Sequence, residues 1–314
     1  MEIIDLGVIG AGLAGLTVAR GAAEAAMAVR VLDKGRGLGG RLATRRAGDG
    51  LRFDHGAQYL SSRDPGFRSF LDEAMTAGAV EAWEPEEESL VGLPGMSGLA
   101  KYVAQGLAVD TAQRAGKIRR EDGIWQVWNI SDELMFKAER LVLAVPSPQV
   151  SPFLEDDHPF QSALADVAFA PCWTLMAAFD AALDLPLTVR NENPDAILSW
   201  VTQDGSKPGR REQASYVAQA SESWSRTYLE RDADWVLETL LSALAELTGA
   251  PLPKPLYSAV HRWRYSTATR PLGRPYLHDE ASALSVCGDW CLGNRAEHAW
   301  LSAQALLCEV VLPR

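Results

Sequence analysis

Apolar positions along this chain fall into short runs and helical stripes that alternate as an α/β protein requires. The run ending at Ile9 is followed by Gly10, Gly12 and Gly15, an alanine-rich segment with helical spacing, and a second run from Val29 to Leu32. That order predicts strand, tight turn, helix, strand. "DTAQRAGKIRREDGIWQVWNISDELMF" predicts a strand meander, "RLVLAVP" a buried strand, and "ASYVAQA" and "LYSAVHRWRYS" half-buried strands. "DADWVLETLLSALAELTGAP" predicts an amphipathic helix stopped by Gly249 and Pro251. Near the end, "ALSVC" predicts a strand before Gly288, and Ala296, Ala299, Trp300, Ala303, Leu307 and Val310 recur at helical spacing. Alternation along residues 261–265 puts Arg262 and Arg264 on one face and His261, Trp263 and Tyr265 on the other.

Composition narrows the class. The chain has 314 residues, 47% of them hydrophobic, enough for one large domain or two interleaved ones. No apolar run reaches membrane-spanning length, and Met1–Gly10 lacks the head and cleavage site of a secretory signal, so the expected compartment is the cytoplasm. Cys172, Cys287, Cys291 and Cys308 form no CxxC pair and have no histidine at ligand spacing; reduced thiols and no metal are expected. The acidic run "EAWEPEEES", residues 81–89, predicts a solvated loop. A net charge of -11 disfavours nucleic-acid and anionic-membrane partners, so concentrated positive charge marks a local anionic ligand.

The first such place is "DKGRGLGGRLATRR", residues 33–46, with one acid, five cations and four glycines. It follows the dinucleotide fingerprint in its required context. Gly10 permits the turn, Gly12 lets backbone N–H groups meet a pyrophosphate at the helix end, and Gly15 brings the helix close to the strand. Asp33 would accept from a ribose hydroxyl. The fingerprint alone does not choose between NAD and FAD; Gly39, Gly40 and Arg41 form a second phosphate loop, which a nicotinamide dehydrogenase does not need. For Lys34, Arg45 and Arg46 a solvated basic loop is an equal account. At the other end, Asp289 suits a ribityl chain, and a helix N-terminus near Glu297–Ser302 would stabilise charge on a reduced pyrimidine edge. "HRWRYSTATRPLGR" is a second cationic concentration: either a surface strand whose arginines pair with carboxylates, or a rim for an anionic substrate.

These residues, with "GAGLAGLTVAR", "FDHGAQYL" at 53–60, "GLPGMSGLAKYVAQGL" at 92–107, "LVLAVPSPQV" at 141–150 and "CGDWCLGNRAEHAWLSAQAL", resemble the flavin-containing amine oxidase superfamily, and within it the renalase-type oxidases, over nearly the whole chain. The resemblance implies a Rossmann-type, p-hydroxybenzoate hydroxylase-like FAD-binding domain, residues 1–60, 97–150 and 280–314. It would be interleaved with a substrate domain of mixed sheet plus helices, residues 61–96 and 151–279. It implies non-covalent FAD, held by Gly10, Gly12, Leu13, Ala14, Gly15, Asp33, Lys34, Gly40, Arg41, His55, Gly56, Ala57, Gln58, Gly288, Asp289, Glu297, Ala299, Trp300 and Leu301. Gln58, Tyr59, His261 and Trp290 would line the reacting space, and Arg262 and Arg264 would bind substrate. The implied reaction oxidises 2-dihydro or 6-dihydro isomers of NAD(P) to NAD(P)⁺ by hydride transfer to flavin N5, with O2 reduced to H2O2. Aromatisation drives that step, so the protein need only align the rings. A small-amine oxidase and a non-enzymatic flavin- or NAD-binding protein are the alternatives. Lys207 and Lys254, the lysines of the substrate part, do not match the lysine position of amine oxidases. The final segment departs from the family's "VEGAWLSG" at Ala296, His298 and Ala303; His298 is expected to be a bystander.

Overall fold

In the computed structural model, which describes residues 2–83, 88–193, 195–210 and 214–312, β1 (Ile3–Ile9) leads into α1 (Leu13–Glu24) and β2 (Val29–Leu32). The hairpins β3–β4 (Thr44–Arg46, Arg52–Asp54) and β5–β6 (Val80–Ala82, Leu90–Gly92) flank α2 (Pro65–Thr76). Next come α3 (Ser97–Val103), β7 (Ala108–Asp110) and the meander β8 (Ala115–Glu121), β9 (Ile124–Asn129) and β10 (Leu134–Leu143). Two short helices, α4 (Ser147–Val150) and α5 (Phe160–Ala165), precede β11 (Ala168–Phe179), β12 (Thr188–Arg190), β13 (Leu198–Gln203) and β14 (Ala214–Ala220). After α6 (Glu222–Thr227) and α7 (Ala233–Thr248), the chain closes with β15 (Tyr257–Arg270), β16 (Tyr276–Asp279), β17 (Leu284–Cys287) and α8 (Ala296–Leu306). Of the acidic run at 81–89, residues 84–87 lie outside the described residues. Among the described residues no helix is long and apolar enough to cross a membrane.

The larger sheet has the order β16-β17-β10-β1-β2-β7, with the meander strands β9 and β8 added beyond β10. β1, β2, β7, β10 and β17 run parallel, so Ile9, Leu32 and Leu143 end at one edge. The loops that follow them converge there, which is where open parallel sheets bind ligands. Close packing of α1 on β1 depends on Gly15, because a Cβ at that position would lie 2.0 Å from the Gly10 carbonyl oxygen. The αL-side φ of +114° at Gly10 makes the turn itself a glycine position.

A second sheet, ordered β12-β13-β14-β11-β15, is antiparallel and roofs the crevice. Its outer face buries Trp173 and Leu175 against Val236, Leu240 and Leu244 of α7. The period of that helix was legible; Asp232 caps it by accepting from the Trp235 N–H, and Gly249 ends it at φ +67°.

Two expected domain bounds move. β16 pairs with β17 in the nucleotide sheet, so that part resumes near residue 276, ahead of 280. Phe67 and Leu71 of α2, with Val80 and Val91 of the β5–β6 hairpin, share one apolar core with Leu6, Leu16 and Val18, which joins most of 61–96 to the nucleotide-binding part as well.

Candidate active site

Between the two sheets lies a cavity of about 1750 Å³. Usual small-molecule pockets hold roughly 300–1,000 Å³, so this one has room for a dinucleotide and a second ligand. Of the residues expected to hold cofactor or substrate, Gly15, Glu297, Trp300 and Leu301 are absent from its wall, while the others line it.

The floor is built by the fingerprint. A Cβ on Gly12 would meet nothing within 4 Å, so its Cα faces open cavity, and the N-terminus of α1 has no side-chain cap. Leu13 and Ala14 therefore offer backbone N–H groups to an anion. Gly39 bridges to Gly12, and Gly40, at φ +55°, sits against the Gly12 Cα, so the two phosphate loops touch. Asp33 braces both: Oδ2 accepts from the Ala11 N–H at 2.6 Å and Oδ1 from the Gly35 N–H at 2.6 Å. Burial raises its pKa against those bonds. Arg41 donates to Asp289 and, at 2.9 Å, to the Ser266 carbonyl. Pyrophosphate and ribityl chain are neighbours in FAD, so a partner for each in direct contact fits that group. Lys34, also on the wall, donates to the Gln149 side-chain carbonyl at 2.8 Å.

The segment 55–59 runs beneath the roof and is tied to it twice: Trp263 Nε1 donates to the His55 carbonyl at 2.8 Å, and Gln219 Nε2 to the Gly56 carbonyl at 2.8 Å. His55 stacks on Trp263, and His261 meets both rings edge-on. Burial lowers the pKa of each histidine to about 4, His55 and Arg45 adding to the effect at His261. Both are neutral at physiological pH. At Cys172, on the same wall, burial pushes the thiol up to about 11, so it carries no nucleophilic thiolate.

Gln58 and Trp290 both line the cavity, and their polar atoms are also held by the protein. Gln58 Nε2 donates to the Asp54 and Gly56 carbonyls at 2.5 and 3.1 Å, and its Oε1 accepts from Lys207 Nζ at 3.4 Å. An ammonium can face only the amide oxygen, so the orientation is set. Trp290 is buried among Leu143 and Val286 and donates to the Val145 carbonyl at 3.1 Å. Tyr59 turns to the far side, where its hydroxyl accepts from Arg190 at 3.3 Å and its ring lies beside Trp200.

Lys207 is fully buried behind this segment and off the cavity wall. Its Nζ reaches Asp204 at 2.7 Å and Asp54 at 3.3 Å, and Arg210 also pairs with Asp54. Two acids and two cations leave the cluster neutral. Burial would raise the Asp54 pKa, but Lys207 and Arg210 hold it below the usual carboxylate value.

Several expected roles are corrected. Arg262 and Arg264 both pair with Glu230, at 3.0 and 2.5 Å, and Arg262 also donates to the Leu229 carbonyl at 2.9 Å. The pairing with a carboxylate is present at this strand, and both arginines also line the cavity. Glu297 is spent on the start of α2, accepting from the Arg63 and Asp64 N–H groups at 2.5 and 2.7 Å. Trp300 packs on Phe67 and Phe70. His298 stays off the cavity wall and caps α8, its Nδ1 accepting from the Asn294 N–H at 3.0 Å and from the Arg295 N–H at 3.3 Å. The sequence reading missed Trp200, Arg190 and Gln219, whose shared face depends on strand register.

Residues 8–74 match the NAD(P)-binding Rossmann-like domain, and residues 71–306 match the flavin containing amine oxidoreductase family. The chain belongs to the flavin-containing amine oxidoreductases. Like them, it is a flavin-dependent oxidoreductase. Among solved structures, this oxidoreductase is similar in fold to a protein assigned as a protoporphyrinogen oxidase from Exiguobacterium sp. 255-15. That match has TM-score 0.78 and 14% identity, covering 98% of each chain. It is likewise similar to putrescine oxidase bound to putrescine, with TM-score 0.78, 13% identity, 99% of this chain and 100% of that one.

Proposed function

We propose that this oxidoreductase holds FAD non-covalently and oxidises dihydronicotinamide isomers, the 2-dihydro or 6-dihydro forms of NAD(P), to NAD(P)⁺. The observation that carries the reading is the charge of the cavity. Among the described residues its wall has ten lysines and arginines against three aspartates and glutamates, in a protein of net charge -11. Counting Glu230 and Glu297, which pair with Arg262, Arg264 and Arg295 from off the wall, ten cations still face five acids. One pyrophosphate accounts for two negative charges, and the surplus suits a second phosphate-bearing ligand. An ammonium substrate would enter against that field.

FAD, when bound, would supply the hydride acceptor and the redox link to O2, with H2O2 as the reduced product. The chain's own part is alignment. His55, His261 and Trp263 present flat, uncharged surfaces for a nicotinamide ring, and no strong base is needed because the product is aromatic. A test is oxygen uptake with 2-dihydro- and 6-dihydro-NAD(P): the reading requires NAD(P)⁺ and H2O2 in equal amounts, and fails if neither isomer supports uptake.

A further inference from the structure

A row of paired side chains crosses the roof, and all of it except the buried Thr174 lines the cavity. Strand register sets Arg190 opposite Trp200, Trp200 opposite Gln219, Gln219 opposite Thr174, and Thr174 opposite His261. Directly paired residues share a face, so the row crosses all five strands from β12 to β15. The segment 55–59 runs under it: His55 contacts His261, Gly56 contacts Gln219, and Tyr59 contacts Arg190. Two aromatic patches result, separated by the polar Gln219 contact. From β13 to β15 is three strand spacings, roughly 14 Å, so a single ring system cannot touch both.

The far patch has its own chemistry. The Arg190 guanidinium lies 4.5 Å from the Trp200 ring centroid, and the Tyr59 ring lies 6.1 Å from Trp200. A cation stacked on an indole with a phenol beside it offers a planar surface and phosphate donors at one place. The cofactor does not need it, because the pyrophosphate donors sit on the opposite floor, at α1 and Arg41. Resting on the dinucleotide reading above, we propose that Arg190, Trp200 and Tyr59 form a second subsite, which takes the adenosine-phosphate half of the substrate while the reacting ring lies at the His55, His261 and Trp263 patch.

The probe is ADP-ribose, which carries the remote half and lacks the reacting ring. Binding is measured calorimetrically on flavin-saturated protein, so that the cofactor's own adenosine site is filled. Wild type should bind it, with affinity falling as salt rises; Arg190→Gln and Trp200→Ala should each lose about ten-fold or more. Arg190→Lys should keep part of the affinity, and nicotinamide riboside should bind all four proteins alike. If wild type fails to bind ADP-ribose, or if the variants bind it as wild type does, the subsite is overturned. Failure of the dinucleotide reading would look different: ADP-ribose would bind through Arg190, yet no dihydronicotinamide would reduce the flavin.

Discussion

The imidazoles of His55 and His261 meet edge to face with ring centroids 4.7 Å apart, one from the segment under the cavity and one from the roof strand above it. His55 is buried and His261 half-buried, both against Trp263, and both sit near a pKa of about 4. The contact fixes the height of the slot, and its neutrality keeps that end of the cavity suited to a flat ring.

This pair makes stability depend on pH. Folded values of about 4 lie below the ordinary 6.5, so between them the unfolded chain binds more protons than the folded one. Their contribution is complete above about 6.5 and is lost as pH falls toward 4. Urea midpoints from pH 7.5 to 4 should therefore drop less steeply in His55→Phe/His261→Phe than in wild type; parallel slopes would remove these histidines from the acid transition.

The glycines of the fingerprint should separate binding from folding. Gly12→Val places its side chain in open cavity, so the melting temperature should stay near that of the flavin-free wild type while flavin retention is lost. Gly15→Val drives a side chain into the Gly10 carbonyl and should destabilise the fold by about 1–3 kcal/mol or more. Melting curves and flavin content of both variants check this. Stoichiometric flavin in folded Gly12→Val would contradict it.

The buried cluster behind Gln58 predicts a compensation. Lys207→Met leaves Asp54 and Asp204 with one cation and should cost about 3–5 kcal/mol. Adding Asp204→Asn restores neutrality and should recover a substantial part of the loss in chemical denaturation. A double variant as unstable as the sum of the two single changes would argue against charge balance.

What the sequence disclosed was local. Gly10, Gly12, Gly15 and Asp33 lie within one βαβ unit, and alternation along β15 correctly separated His261 and Trp263 from Arg262 and Arg264. Partners supplied from afar were hidden. Glu230, which claims both arginines, sits 32 and 34 positions away, and Lys207 meets Asp54 across 153. Two expected domain bounds move for a related reason: whether α2 joins one core or the other depends on a shared core with Leu6 and Val18, which no local period encodes.

With Glu230 beside them, Arg262 and Arg264 should matter little to substrate binding. Arg262→Ala and Arg264→Ala are expected to bind dihydronicotinamide dinucleotide within about two-fold of wild type, since exposed pairs are worth little. A ten-fold loss in rapid-mixing titrations would return the anion rim to β15.

The central claim is that an electropositive cavity selects a phosphate-bearing hydride donor over an amine. The direct measurement is anaerobic mixing of the flavin-loaded protein with 6-dihydro-NAD, 2-dihydro-NAD or putrescine, following flavin absorbance and NAD⁺ together. The account predicts bleaching by at least one dihydronicotinamide, with one NAD⁺ formed per flavin, and none by putrescine. Bleaching by putrescine with both dihydronicotinamides inert would contradict it.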